Sequence, residues 1–262
     1  EDEPLKPALL AIFNGLAHAD ELGSLLQIEE PFDLELRRLR DQQLERERKA
    51  ASRSLFGRDG DQDWRAWKCE AIERLRQHFS AEAHGTDLGR AFFGEAANKG
   101  LSLVDLLSRR YDIVAANPPY LGSRNMGSVL KRHIQANFVG AKRDLYAAFI
   151  LRCVQLAGTG RTAMVAQQSW MFLKQMHRIR ALVFANTTVE VLGHLGPGAF
   201  EEISGEHVNV ALFVLSGAKA PSEHCLTAIR TSWDTPVGKR GSALAAGALR
   251  TTSRARFRVL QS

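Results

Sequence analysis

The residues of this chain best suited to chemistry are Asn117, Pro118, Pro119 and Tyr120, which are consecutive. Each proline fixes its own backbone φ and lacks an N–H, and a residue before proline is held out of the helical region. The stretch is therefore a stiff, extended turn that presents carbonyl oxygens. The amide oxygen of Asn117 and the carbonyl of Pro118 can accept the two hydrogens of an exocyclic amine. Two fixed acceptors favour the positive charge that develops on such a nitrogen when it attacks an electrophile.

Tyr120 adds an aromatic face on which the base that carries the amine can stack. The alternative interpretation is a turn that only ends a strand, because two consecutive prolines are a common stop. The flanking Asn117 and Tyr120 favour the chemical interpretation, since a plain stop requires neither residue.

A short strand is predicted over residues 111–116, directly before these four residues. Strands that alternate with helices predict a mostly parallel sheet covered on both faces. In open α/β sheets, ligands bind beyond the carboxyl ends of the strands, which is where Asn117 stands. The last two strands have no helix between them and should pair antiparallel. The further predicted strands are 162–166, 189–195 and 208–215, and the predicted helices between them are 144–157 and 173–184.

The first hundred residues have the apolar spacing of helices rather than strands. Helices are predicted over residues 5–17, 33–54 and 64–79, with a loop at 57–63 and a break at 84–89. The helix at 33–54 interleaves both signs of charge at three- and four-residue offsets, which indicates a solvated face. The stripe on the helix at 64–79 indicates core packing rather than a cofactor site.

Composition excludes several classes of protein. Hydrophobic residues make up 45% of the 262 residues and charged residues 24%, which excludes disordered, collagenous and disulfide-scaffold chains. The apolar runs, such as residues 210–215, are too short to span a bilayer, so no membrane partner is expected. The three cysteines and eight histidines are scattered, which predicts neither a disulfide framework nor a metal site. This cysteine usage favours the reducing cytoplasm.

The net charge of +6 is concentrated at the carboxyl-terminal end of the chain. Residues 219–262 contain eight basic and two acidic residues, which accounts for the whole excess. Two interpretations remain open, a solvated tail and a segment that lies near nucleic-acid phosphates.

With these residues in view, the sequence resembles adenine-specific DNA methyltransferases that use S-adenosylmethionine. Residues 21–25 and 167–173 point further, to the large methyltransferase of BREX/Pgl-type phage-defence systems. Four stretches carry the general resemblance, matching the family's catalytic strand and loop, the helix after it, the next strand and loop, and the closing hairpin: residues 111–120, 144–149, 160–171, and 199–203 with 208–215.

The resemblance implies an α/β fold, namely the second half of a Rossmann-like methyltransferase sheet with an N-terminal helical segment. It implies transfer of a methyl group from S-adenosylmethionine to the exocyclic amine of adenine in double-stranded DNA, in restriction-modification or phage defence, with other defence proteins as further partners. Asn117, Pro118, Pro119 and Tyr120 are the implied catalytic residues. Phe200 is the implied second aromatic residue that stacks with Tyr120 on the flipped base, with core packing as its alternative role.

The family's glycine-rich cofactor loop, which precedes the catalytic strand, has no match in residues 1–110. Asn117 is the one residue expected to border the cofactor. Glu1 rather than Met opens the chain, so we expect a piece of a longer protein, inactive alone, with an unpaired edge on the strand at 111–116. The expected parts are a helical segment at 1–100, the carboxyl-terminal half of the catalytic domain at 101–217, and a basic segment at 218–262 that leads toward an absent target-recognition domain.

Two alternatives of other kinds stay open. The same four-residue loop serves methyltransferases of RNA adenine and of protein glutamine. A non-catalytic DNA-binding module without a cofactor also fits a chain that lacks the glycine-rich loop.

Overall fold

The computed structural model describes residues 18–50, 60–84, 88–196, 209–219, 223–230 and 249–253, together with Leu10, Asn14 and Leu16. The chain divides into two compact units, Glu1–Arg109 and Arg110–Ser262. The helix predicted over 5–17 lies outside the described residues except at those three positions, which are helical. Phe200 and most of the basic segment at 218–262 also lie outside them.

The first unit is helical in its described part, as the apolar spacing predicts. Residues 60–63, predicted as loop, belong instead to a helix whose apolar stripe begins only at Trp64. Pro31 lies in the first turn of a helix, where its missing N–H leaves no bond unmade. The helices are α1 (Ala19–Leu22), α2 (Glu29–Ala50), α3 (Gly60–Ala83) and α4 (Leu88–Ser108), with a 3₁₀ turn at Gly23–Leu25.

Apolar side chains of these helices form the core of the first unit. Leu75 and Phe79 of α3 are buried, which confirms the predicted core stripe, and so are Leu101 and Val104 of α4. The domain boundary predicted after residue 100 falls inside α4, and the two compact units instead divide after Arg109.

The second unit contains a six-stranded sheet in the order β1-β2-β4-β3-β5-β6. The four strands predicted from the sequence are confirmed as β1 to β4, each within two residues at its ends. The strands are β1 (Ile113–Ala116), β2 (Arg161–Gln167), β3 (Thr188–Gly196), β4 (Val210–Ser216), β5 (Cys225–Arg230) and β6 (Leu249–Ser253).

The sheet is mixed, and its α/β class is as predicted. β1 pairs with β2 and β3 with β5 in parallel, while the β2–β4, β3–β4 and β5–β6 pairs are antiparallel. The antiparallel pairing of β3 with β4 is confirmed. The antiparallel share exceeds the one expected because β4 turns back after β3 and enters between β2 and β3. As expected, β1 lies at the edge of the described sheet.

Four α-helices of the second unit connect the described strands. Asp144 caps the helix that begins at Leu145, since its carboxylate accepts a hydrogen bond from the N–H of Tyr146 at 3.4 Å. The helix predicted at 173–184 starts later, because Leu173 is extended and a 3₁₀ turn at Lys174–Met176 follows it. No helix of the described residues is both long and apolar enough for a membrane span. These helices are α5 (Ser128–Asn137), α6 (Leu145–Ala157), α7 (Ser169–Phe172) and α8 (His177–Asn186).

Candidate active site

The four predicted catalytic residues follow the carboxyl end of β1 directly. Because β1 and β2 are parallel, with Ala116 opposite Met164, β2 also ends on this side of the sheet. Gln167 at that end lies opposite Val210, the first residue of β4, and Val210 lies opposite Gly196 at the end of β3. The carboxyl ends of β1, β2 and β3 therefore lie on the same side of the sheet, which is where ligands bind in α/β sheets.

The loop is anchored by the burial of Pro118, and the side-chain amide of Asn117 is exposed to solvent. Pro118 is buried, whereas Asn117 and Pro119 are exposed and Tyr120 is half-buried. Burial of Pro118 fixes the turn against the protein, and the exposed Asn117 amide is free to meet a substrate at the surface.

Tyr120 is held mainly by the packing of its ring. Its ring meets the ring of Tyr146 edge-to-face, with centroids 6.3 Å apart and planes at 90°. Its hydroxyl is buried and has no hydrogen-bond partner among the described residues. Burial raises the pKa of Tyr120, so the hydroxyl stays protonated at neutral pH.

A chain of polar side chains continues behind Tyr120. The hydroxyl of the fully buried Tyr146 shares a hydrogen bond of 2.8 Å with the hydroxyl of Ser169, which lies 3.5 Å from Oε1 of Gln167. Burial raises the pKa of Tyr146 to about 12. Tyr146 therefore joins the loop after β1 to the loop after β2 through a neutral hydroxyl.

The loop after β2 is also joined to β3 and β4. Nε2 of His194 on β3 contacts Oε1 of Gln168, and the N–H of Gln168 donates to the carbonyl of Asn209 at 2.9 Å. These contacts fix Gln168 between neighbouring strands, on the side of the sheet where β1 ends and Asn117 follows.

A buried guanidinium supports the turn that follows Ser169. Nη1 of Arg180 donates to the carbonyls of Trp170 and Leu173 at 2.9 and 2.8 Å. Burial lowers the pKa of Arg180, and the two carbonyls accept the hydrogens of its Nη1. Trp170 itself is buried, with its ring centroid 5.0 Å from that of Phe213 on β4.

The catalytic loop is fixed at its downstream end to the start of α6. The N–H of Leu145 donates to the carbonyl of Leu121 at 3.0 Å, and the N–H of Ser123 donates to the carbonyl of Arg143 at 2.9 Å. Gly122 and Asp144 form an antiparallel bridge between these two bonds. Burial raises the pKa of the Asp144 carboxyl, although hydrogen bonds from backbone amides oppose the rise.

The structure brings Asn117, Pro118, Pro119 and Tyr120 together on one short loop. Phe200 belongs to the connection between β3 and β4, of which only the two ends are described. Gly196 and Val210 at these ends lie on the side of the sheet where β1 and β2 end. Four further polar side chains connect the strand ends on this side of the sheet, and nothing in their types or spacing predicted a role for them, although two of the matched stretches contain three of them. These four side chains are Tyr146, Gln168, Ser169 and His194.

Comparisons with known proteins identify the family of this chain. The family model of the Eco57I restriction-modification methylase matches residues 37–200. The adenine-specific methyltransferase BrxX of Escherichia coli O9:H4 (strain HS) is 40% identical over 111 residues, which are 42% of this chain and 9% of BrxX. The adenine-specific methyltransferase PglX of Lacticaseibacillus casei (strain Zhang) is 37% identical over 114 residues, 43% of this chain and 9% of PglX.

A solved structure of a type I restriction-modification system is similar at 10% identity, with a TM-score of 0.45, over 71% of this chain and 50% of that one. The matched stretches thus span about a tenth of the length of either methyltransferase relative. The predicted resemblance to adenine-specific methyltransferases of the BREX/Pgl type is confirmed by the two relatives. Because the family match covers more than half of its residues, the chain belongs to the Eco57I restriction-modification methylase family.

Proposed function

We propose that this chain carries the catalytic loop of an enzyme that methylates the exocyclic amine of adenine in double-stranded DNA. The observation that carries the proposal is the position of Asn117, Pro118, Pro119 and Tyr120 at the carboxyl end of β1, on the side of the sheet where β2 and β3 also end. Family membership supports it, as do the two relatives, which are named adenine-specific methyltransferases.

In this mechanism Asn117 and Pro118 act on the amine of the target base. The exposed amide oxygen of Asn117 and the carbonyl oxygen of Pro118 accept its two hydrogens, which stabilises the positive charge that grows on nitrogen during attack. The adenine must leave the base stack to reach this edge of the sheet, and an aromatic face compensates part of the lost stacking. Tyr120 supplies that face, and Phe200 supplies the second one.

The family implies a methyl donor, and we infer that it is S-adenosylmethionine. The described residues before β1 are helices and turns, and none of them forms a strand followed by a glycine-rich turn. They therefore do not fit the cofactor loop of such an enzyme, and the donor site is not assigned to them. Asn117 remains the residue placed to border it. The setting we propose is cytoplasmic restriction-modification or phage defence, with further defence proteins as partners.

The proposal is tested by Asn117→Ala in the full-length protein. We expect the methylation rate to fall on the order of 10²- to 10³-fold, because a fixed acceptor used in the transition state is lost. DNA affinity should stay near that of the wild-type protein. Asn186→Ala is a matched control, since Asn186 is also exposed but precedes β3, at the end of the sheet away from Asn117.

Turnover of Asn117→Ala near the wild-type rate would contradict the role of this residue. The assay should follow a labelled methyl group into DNA, RNA and protein in parallel. Methyl transfer to RNA or to protein glutamine, with none to DNA, would favour the alternative substrates. Transfer to none of them, with retained DNA binding, would favour a non-catalytic module.

A further inference from the structure

The segment after the catalytic loop carries charge of one sign only. Residues 121–143, which we call the basic lobe, contain five Lys or Arg and no Asp or Glu. All five basic side chains are exposed: Arg124, Lys131, Arg132, Lys142 and Arg143. Helix α2 differs, because it interleaves acidic with basic residues. A solvated face needs no such excess of one sign, whereas a surface that meets a polyanion does.

The basic lobe is a folded element with a small core of its own. Leu130 and Ile134 of α5 are buried, and so are Met126, Phe138 and Ala141 on either side of that helix. The exposed Lys131 and Arg132 therefore stand on a supported helix.

The two ends of the basic lobe are hydrogen-bonded to each other and form its base. The bonds join Leu121 to Leu145 and Ser123 to Arg143, and Leu121 follows Tyr120 directly, so the base lies beside the candidate active site. The nearest carboxylate along the chain, Asp144, lies half-buried at this base and caps α6. A polyanion bound to the lobe is thus held next to Asn117 and Tyr120.

We propose that the basic lobe binds backbone phosphates of duplex DNA beside the target adenine, with Lys131 and Arg132 of α5 among its phosphate contacts. The identity of the polyanion rests on the proposed function, and the surface itself rests on the charges and their exposure. Contacts to phosphates orient a protein on the duplex and do not read its sequence. Each neutralised phosphate releases condensed counterions, so binding must weaken with salt in proportion to the number of contacts.

The test compares the salt dependence of DNA binding in the full-length protein and in the double variant Lys131→Gln/Arg132→Gln. Glutamine keeps the helix propensity at both exposed positions. With a linear DNA duplex of mixed sequence as probe, we expect the slope of log K against log salt to become shallower by about 1.8. The ratio of the variant Kd to the wild-type Kd should then fall roughly tenfold between 50 and 200 mM salt. A second double variant, Lys142→Gln/Arg143→Gln, should behave in the same way.

Arg110→Gln is the control, because this exposed arginine precedes β1 and lies at the end of that strand away from Asn117. Unchanged slopes in both double variants, or a change of slope in Arg110→Gln equal to the change per charge in the double variants, would overturn the proposal. A change of slope on duplex RNA but not on DNA would also overturn it. Absence of methyl transfer to DNA by the wild-type protein, together with shallower slopes in the double variants, would instead refute the proposed function and leave the lobe as a DNA-binding surface.

Discussion

Tyr146 is the side chain that connects the two loops of the candidate site. Tyr120 packs edge-on against its ring, and its hydroxyl is bonded to Ser169. A buried hydroxyl with a partner is stable only while it keeps its proton, because the phenolate would be desolvated. The position of the catalytic loop is therefore linked to the protonation state of one residue that touches no substrate.

The first prediction at this scale concerns pH. The pKa of Tyr146 is about 12 in the folded protein and about 10 when exposed, so between these values the unfolded chain loses a proton that the folded chain keeps. The contribution of Tyr146 to the free energy of unfolding should therefore be fully present below pH 10, and the free energy should fall by about 2 kcal/mol as the pH rises to 12. Denaturant unfolding across this range measures the slope.

Tyr146→Phe should flatten that slope. The comparison should be made in a Cys153→Ala background. Burial also raises the pKa of the Cys153 thiol to about 11, so this thiol too lowers the free energy of unfolding as the pH rises. Equal slopes with Tyr and with Phe at position 146 would show that its hydroxyl does not titrate in this range.

A second prediction concerns Phe200, which lies outside the described residues. If Phe200 stacks on the flipped adenine, Phe200→Ala should lower catalysis on DNA roughly 5- to 150-fold, because a base–aromatic stack contributes about 1–3 kcal/mol. Phe200→Trp should keep much of the activity, and cofactor affinity should be unchanged in both variants. A sharp drop in Tm together with weaker cofactor binding would assign Phe200 to the core.

At the scale of elements, two glycines let the turns at the end of the sheet away from Asn117 pack closely together. A Cβ on Gly160, just before β2, would lie 2.5 Å from the carbonyl oxygens of Tyr111 and Asp112. A Cβ on Gly217, just after β4, would overlap the carbonyl oxygen of Gly158. The obstructing atoms are backbone, so a side chain cannot move aside for either methyl group.

We therefore predict that Gly160→Ala and Gly217→Ala each lower the free energy of unfolding by about 1–3 kcal/mol or more, as overpacking does. Gly122→Ala is the control, because its Cβ would find its nearest neighbour at 3.9 Å. Chemical denaturation of the three variants tests this, and wild-type stability of Gly217→Ala would mean that the turns separate easily.

The elements that the sequence predicts well are those with a regular buried stripe or a short apolar run. β2 alternates buried with half-buried residues, and α6 buries most of its length, so both show in the local pattern. α5 buries only Leu130 and Ile134 among basic and polar neighbours, which leaves too weak a pattern to predict it. The insertion of β4 between β2 and β3 depends on pairing across the sheet, which local periodicity does not encode.

The same limit applies to the candidate site. Its loop of Asn117 and three neighbours is contiguous, so the sequence reveals it directly. The pairs Tyr146–Ser169 and His194–Gln168 join residues that are 23 and 26 positions apart and become neighbours only once the strands pair.

At the scale of the whole chain, the strand at the edge of the described sheet offers a surface for pairing with another chain. β1 is the end strand of the described sheet, and Ile113 on it is 69% exposed. Unpaired edges invite pairing with another chain, and a lysine on the edge opposes it. We predict that Ile113→Lys lowers self-association of residues 1–262, as measured by sedimentation velocity.

Leu212→Lys provides the comparison, because Leu212 is also exposed but lies on β4, which is paired on both sides. This variant should associate like the parent chain. Equal effects of the two lysines would attribute association to exposed apolar area rather than to the strand edge.

The closed base of the basic lobe also has an evolutionary consequence. Backbone hydrogen bonds between residues 121–123 and 143–145 hold the two ends of the lobe together, whatever lies between them. Tolerance to change follows burial and hydrogen bonding, so the exposed positions of the lobe can vary, whereas Leu130 and Ile134 are constrained by their burial. Related proteins can therefore change the charge of this segment while Asn117 keeps its position. If the lobe binds DNA as proposed, exchanging its exposed side chains is a route to altered DNA affinity that leaves the loop at Asn117 in place.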